Sequence, residues 1–557
     1  MSNIKIIFLG GQDENFKNMI AVEIDDDIFV VEAGCKFPDK TKHGIDYIIP
    51  KYDYLLAHKD KVRAYFITEG NDVVFGALPF IYDKIPAPIV CTRVTRIFLY
   101  TFCEHNNINP SHYEFKIVEP SDDIEISGHK IRFFSTCSNI AQGCGLAFDT
   151  DQGNIVFALN FVIDNNVTTG FVTDLKKMGV IGDKPTLVLL ADSIMSERSG
   201  YSNPAYKLRP RIEELFIKSY GRTFLALESP DVYNLIECLK MCAEYHKKVV
   251  LYDETTHDLV NRLVKANLVS LPADMIMEAS NINRVRAADI VVVMTGFGTR
   301  LLHKVSLLAK GQQDNKVITL NSDDVFVVGF HQTNATEIDY FDALDELHRC
   351  SVKVINFKKN DLITMHPSME DLKTILSVFR PKYYVPISGY LVTLFANAML
   401  AVNMGIGLNH TNVFAIDNGH VLLCQNGTCK ISSEKLLAGD VLVDKNEVSQ
   451  YSEQIINERR QISDDGVVIL AAVVDRNKRE IVSGVDVQTR GLVYAKDSDA
   501  LLREIETIFV RTLKEKIQEP VYDVSHIEQM VRESVLSSIR RHTLKTPLII
   551  ANILQIK

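Results

Sequence analysis

Glu32, Glu69, Asn160 and Asp192 each stand at, or just past, the end of a short apolar run of β type. Open α/β sheets gather their sites at such strand ends. The densest stretch is Phe66-Ile67-Thr68-Glu69-Gly70-Asn71-Asp72-Val73-Val74-Phe75-Gly76-Ala77-Leu78-Pro79. Together with Glu32 and Asn160, its Glu69, Asn71 and Asp72 offer oxygen donors only. That is chemistry for a hard cation such as magnesium, which also demands octahedral convergence that spacing alone does not supply. Zinc would want imidazole or thiolate donors, and the stretch has none. Ser138 and Ser388 are hydroxyl nucleophiles by type, with no histidine nearby in sequence to activate them.

The elements that must position these residues are short. Ile4–Leu9, Ala21–Ile24, Ile28–Val31, Ala64–Ile67, Ile131–Phe134, Ile155–Leu159 and Leu187–Leu190 read as strands flanked by Gly, Asp or Asn. From about residue 206 strand–helix alternation takes over. Helices at Arg209–Ser219 and Val232–His246 interleave with strands at Thr223–Leu227, Val249–Tyr252 and Ile290–Met294, the pattern of an inserted doubly wound parallel module. Met369–Phe379 then reads as a helix and Tyr383–Ile387 as a strand. The expected organisation is a first domain in two parts, 1–205 and 356–425, an insertion at 206–355, a polar turn-rich linker at 426–461 and a small α/β domain at 462–557. In the last, Ala500–Ile517 is amphipathic, with Leu501, Ile505, Ile508, Phe509 and Leu513 on one face.

A chain of 557 residues exceeds one core. The net charge of −10 excludes a generally basic coat, so nucleic acid would need a local cleft. No apolar stretch reaches the length of a membrane span, and Met1 to Gly11 lacks the pattern of a signal peptide. The ten cysteines form no Cys-x-x-Cys pair and are expected as reduced thiols of a cytoplasmic protein.

The frame of the Phe66–Pro79 stretch resembles the Thr-His-Gly-His-x-Asp-His turn of metallo-β-lactamase-fold hydrolases. Leu9-Gly10-Gly11 with Lys17-Asn18-Met19, Gly44-Ile45-Asp46-Tyr47-Ile48-Ile49-Pro50, Asp464-Asp465-Gly466 and Gln488-Thr489-Arg490-Gly491-Leu492-Val493-Tyr494 extend the resemblance over the whole chain. They are similar to segments of the ribonuclease J family, within the β-CASP branch, and to its active-site-degenerate second paralogue in Gram-positive bacteria. The resemblance implies an αββα metallo-β-lactamase sandwich, an inserted β-CASP domain and a C-terminal α/β domain. Active members use two zinc or manganese ions. Here the family's ligand positions fall on Glu32, Glu69, Asn71, Val73, Val74, Ser138, Asn160 and Ser388. Neutral groups replace most of the imidazoles and carboxylates, so no bound metal is expected and no catalytic residue is intact.

The family's nucleic-acid motifs survive in part. Asp192 matches the first β-CASP motif, and Leu362, Ile363, Thr364, Met365 and His366 occupy a loop that cradles phosphate in relatives, with Met365 in place of a glycine. Thr295-Gly296-Phe297-Gly298-Thr299-Arg300 lacks the family's Glu-Pro, and Pro230-Asp231-Val232-Tyr233-Asn234 has lost a basic residue and gained an acid. Lys207, Arg209 and Arg211, and Arg540, Arg541, His542 and Lys545, are the remaining basic runs. The resemblance implies RNA as partner, in rRNA processing and mRNA decay, with association to an active paralogue as homodimer or heterotetramer, within an RNA degradosome. Three readings follow: a non-catalytic subunit of that complex, a weak exo- or endoribonuclease, and a free-standing RNA-binding module.

Overall fold

The computed structural model describes residues 1–38, 44–164, 170–202, 208–313, 316–330, 332, 336–357, 366–444, 447–449, 453–482, 485–492, 498–520 and 523–556. Residue contacts divide the chain into two units, one of Met1–Phe37 with Tyr47–Val448, the other of Pro38–Asp46 with Ser449–Lys557.

The first unit holds two facing sheets. One runs Thr428–Lys435, His420–Gln425, Ile4–Gly10, Met19–Ile24, Asp27–Val31, Val62–Ile67, Ile89–Cys91, Phe115–Ile117. The other runs Tyr383–Ile387, Thr186–Asp192, Gly153–Ala158, Gly143–Thr150, His129–Thr136, Asp123–Ile126. Period-two alternation sends one set of side chains between the sheets. There Phe29 lies 5.4 Å and Phe66 5.5 Å, centroid to centroid, from Phe148. The other set is covered by helices. Leu55, Phe75, Leu78, Phe98 and Phe102 pack on the outside of the first sheet, and Met178, Leu372, Ile375, Phe379 and Ala401 on the outside of the second. The result is the αββα sandwich expected.

The inserted module leaves after Thr186–Asp192 and returns at Tyr383–Ile387, its parallel neighbour. Its five parallel strands run Lys248–Leu251, Ile290–Gly296, Thr223–Glu228, Val325–Val328, Lys353–Asn356. Helices cover both faces: Leu235, Leu239 and Leu263 on one, Leu301, Val305 and Leu347 on the other. Such doubly covered parallel strands read as unbroken apolar runs, as Ile290-Val291-Val292-Val293-Met294 does.

Stretch 426–461 is not the plain linker expected. Asn426 and Gly427, both at positive φ, turn the chain into Thr428–Lys435, and Asp440–Asp444 pairs with Tyr47–Pro50. Cys424 and Cys429 face each other across this hairpin as a disulfide, so two of the cysteines are not the free thiols expected.

In the second unit the strand Val467–Asp475 is flanked by Leu548–Ile556 on one side and by Asp486–Arg490 and Glu480–Ile481 on the other. Helices Ser498–Lys516 and Val524–Thr543 cover one face. The apolar stripe of Leu501, Ile505, Phe509 and Leu513 is core.

Candidate functional site: a remodelled strand-end cluster

Parallel pairing brings the polar residues together. Asp27–Val31 and Val62–Ile67 run side by side, so Glu32 and Glu69 emerge at the same edge of the first sheet. Gly153–Ala158, Thr186–Asp192 and Tyr383–Ile387 do the same for Asn160, Asp192 and Ser388 in the second. Glu69 and Asn160 meet across the two sheets, and Asp192 and Glu69 both act electrostatically on Glu32.

Each ligand-position residue has a local occupation. Glu32 sits at φ 59°, fully buried, and accepts a 2.7 Å hydrogen bond from the Thr68 hydroxyl. Burial pushes its carboxyl up to about 8, hydrogen bonds from Thr68 and Asn18 pulling only partly the other way. Burial also raises the Glu69 carboxyl. Its Oε1 accepts a 3.1 Å hydrogen bond from the Asn160 amide. Asn71 caps the short helix Asp72–Phe75 by accepting from the Val73 N–H at 3.2 Å. Val73 and Val74 point into the core beneath the first sheet, while their carbonyls accept from the Cys35 and Ala33 N–H groups. Ser138 donates to the Ile140 carbonyl at 3.1 Å. Ser388, at φ 59°, accepts from the Ser193 N–H through its carbonyl at 3.2 Å. Among the described residues, three buried oxygens in the cluster, Glu32 Oε2, Glu69 Oε2 and Ser388 Oγ, have no hydrogen-bond partner.

Asp192 and His366 form a pair. Asp192 is fully buried; its Oδ2 lies 2.5 Å from His366 Nδ1, and its Oδ1 accepts from the Ile194 N–H at 2.8 Å. Burial alone would lower the imidazole's pKa, but the charge and hydrogen bond of Asp192, with Glu69 behind, hold it above the ordinary histidine value. The imidazole is thereby committed to a carboxylate. Leu362, Ile363, Thr364 and Met365, named with it from sequence, lie outside the described residues.

Sequence reasoning missed the supports behind this pair. Asn397 donates to the Asp192 carbonyl and the Ser193 hydroxyl, and accepts from the Tyr384 hydroxyl. Ser202 donates to the His366 carbonyl at 2.9 Å. Asp371 accepts from the N–H groups of Ile163, Ser202 and Ser368, and burial lifts its carboxyl to about 6. The signal for Asp371 was present, since Ser368-Met369-Glu370-Asp371 carries the serine-to-acid spacing of a capping box.

The donors for a dinuclear centre are scarce. Glu32 is held largely protonated at neutral pH, Asn71 is spent on a cap, and two positions are valine. Among the described residues no group of three or more His, Cys, Asp or Glu is arranged to hold a metal ion. Two members of the basic runs are also engaged. Arg209 pairs with Glu237 and Glu244, and Lys545 donates to the Leu492 carbonyl. Asp231 caps the helix Val232–Glu244 through the Asn234 N–H. Lys207 lies outside the described residues.

A sequence profile, described as the ribonuclease J C-terminal domain, matches residues 454–556. Proteins named ribonuclease J 2 from Staphylococcus epidermidis and Staphylococcus aureus are 26% identical over 554 residues, covering 100% of this chain and 98% of theirs. The ribonuclease J family read from the motifs is therefore supported by relatives similar over the whole chain and by the profile over its C-terminal part. The sandwich, its insertion and the C-terminal domain are thus the ribonuclease J fold, with metallo-β-lactamase and β-CASP parts. A solved structure from Enterococcus faecalis V583, titled as a protein of unknown function, shares the fold at a TM-score of 0.52 and 12% identity, covering 76% of this chain and 100% of that one. No helix of the described residues is long and apolar enough to cross a membrane.

Proposed function

We propose that this chain is a ribonuclease J-type subunit with little or no nuclease activity of its own. It works in RNA processing and decay, in rRNA maturation and mRNA turnover, by joining an active ribonuclease J chain in the cytoplasm. The observation that carries this reading is the hydrogen bond from Asn160 to Glu69, across the space where relatives would set metal ions between the sheets. Two-metal catalysis needs donors free to grip cations and a bridging hydroxide. Here an amide and a buried acid hold each other instead. Losing such activation removes on the order of 10 kcal/mol of transition-state stabilisation. RNA contact falls to the surroundings of Asp192 and His366, together with residues 362–365, and shape and assembly become the contribution of the fold.

A weak intrinsic nuclease is the second reading. It is favoured by Glu32 Oε2, Glu69 Oε2 and Ser388 Oγ, which lack hydrogen-bond partners among the described residues and are oxygen donors of the kind a hard cation accepts. Metal analysis of the purified chain, with a decay assay on 5′-monophosphate RNA, separates the two. The expected result is substoichiometric zinc and manganese and negligible turnover alone, with decay by the active chain altered on mixing. Tightly bound metal with robust turnover that Glu69→Ala or Asn71→Ala abolishes would overturn the subunit reading.

A further inference from the structure

The helix Val524–Thr543 buries Ile527, Val531, Val535 and Ile539 in the C-terminal core. Its other side carries an open groove of about 550 Å³, lined by Glu533, Leu536, Ser537, Arg540, Arg541 and Leu544. These residues recur every three or four positions, so they form one stripe about 16 Å long at a rise of about 1.5 Å per residue. Leu544 is the member that the fold does not explain. It ends the helix at φ 59°, a conformation that glycine adopts at least cost, and it is 89% exposed. A bulky aliphatic side chain there is strained and contributes almost nothing to the core.

The arginines beside it are uncommitted. Neighbouring cations on the helix have partners: Arg532 lies 3.6 Å from Glu528, and His542 3.4 Å from Glu504. Arg541 donates only to the Ser537 carbonyl of its own helix, at 3.2 Å, and neither Arg540 nor Arg541 enters an ion pair among the described residues. The helix dipole suits cations in this last turn. It accounts for the charge and not for the leucine. Two guanidinium forks beside two aliphatic side chains match carboxylates set beside apolar residues. Single-stranded RNA is the poorer match. The groove is lined by no aromatic ring on which a base could stack, and Glu533 repels phosphate at its other end.

We propose that this groove docks an acidic amphipathic helix of a second protein. Aliphatic residues of that helix seat against Leu536 and Leu544, and its carboxylates meet Arg540 and Arg541. Helix-in-groove recognition of this kind reads apolar anchors at helical spacing and takes its direction from the flanking charges. Here the acids of the partner belong at the Leu544 end, away from Glu533. A stripe of three turns is small beside a standard partner surface, so the contact is weak and reversible, with a dissociation constant on the order of tens of micromolar. The inference needs neither a metal at the strand ends nor a second copy of this chain.

Fluorescence anisotropy on the full-length chain tests it. The probe is a labelled helical peptide of about twelve residues, with a leucine stripe flanked by glutamates at one end. It should bind the wild type, and its glutamine counterpart should bind about tenfold more weakly. Arg540→Ala combined with Arg541→Ala should cost a similar factor. Leu544→Gly should weaken the peptide at least about fivefold while holding or raising the melting temperature, because glycine relieves the left-handed backbone. A leucine that served the fold alone would lower the melting temperature and leave the peptide bound. No binding of the glutamate peptide, or binding that these substitutions leave unchanged, overturns the proposal. So does a labelled RNA oligonucleotide, or a vesicle of anionic phospholipid, that loses affinity on Leu544→Gly when the peptide does not, since the groove would then face nucleic acid or membrane.

Discussion

Asn160 donates its side-chain amide to Glu69 at 3.1 Å and so ties the end of one sheet of the sandwich to the turn at the end of the other. The bond satisfies one oxygen of an acid that is 1% exposed. Asn160→Ala would leave that acid with one fewer donor in a dry site, a loss of about 1–3 kcal/mol. Asn160→Asp would set a second acid against it and cost more. Urea denaturation of the variants measures both, and the RNA decay rate of the isolated chain should stay at its baseline in each.

The Glu32 carboxyl makes stability depend on pH. Its folded value, about 8, lies above the ordinary value of 4.5, so the folded state holds its proton more tightly than the unfolded chain does. The contribution is fully present below pH 4.5 and is lost as pH rises through 8, at about 1.4 kcal/mol per unit of difference. The wild type should lose melting temperature between pH 5 and 8 more steeply than Glu32→Gln, whose neutral amide copies the protonated form. Parallel slopes in calorimetry across that range would remove Glu32 as the cause.

Asp192→Asn should destabilise the sandwich by roughly 3 kcal/mol, because it strips the carboxylate from a buried histidine pair. His366→Ala should cost less, since Asp192 keeps its bond from Ile194. A double-mutant cycle should give a coupling above about 1 kcal/mol, as residues in one hydrogen-bonded pair do. Additive costs would show that the two side chains act separately.

Restoring family ligands at the turn should fail as a repair. Val73 and Val74 are 7% and 2% exposed within the core beneath the first sheet. Val73→Asp places a carboxylate there, at a cost on the order of 3 kcal/mol or more. A fourfold Glu69→His, Asn71→His, Val73→Asp, Val74→His variant should lose solubility or thermal stability without gaining metal-dependent RNA decay. A soluble, metal-loaded and active variant would show the scaffold to be poised for catalysis.

Elements that alternate or run apolar were legible: Met369–Phe379 and Tyr383–Ile387 begin and end where the periodicity predicts. The helix Leu391–Asn403 was not, because it is apolar on nearly all sides and offers no 3.6-residue contrast. The hairpin at Asn426-Gly427 was missed although Asn-Gly is its signal, since the flanking residues are polar and the strand Thr428–Lys435 is largely exposed. At the site, the polar strand ends could be named from sequence because strand ends are local features. Their partners could not. Thr68 meeting Glu32, Asn160 meeting Glu69 and Asn397 meeting Asp192 are set by parallel pairing and by the contact between sheets, which no local pattern encodes.

The first strand, Ile4–Gly10, has Met19–Ile24 on one side and His420–Gln425 on the other. A ribosome must therefore release more than 400 residues before the opening segment gains its second neighbour. Thr186–Asp192 likewise waits for Tyr383–Ile387 until the whole insertion has been synthesised. Such distant closures are slow, and in the interval apolar ladders stand open to other chains. Yield in a heterologous host should then be governed by chaperone supply and translation speed, more than by the final stability of the molecule.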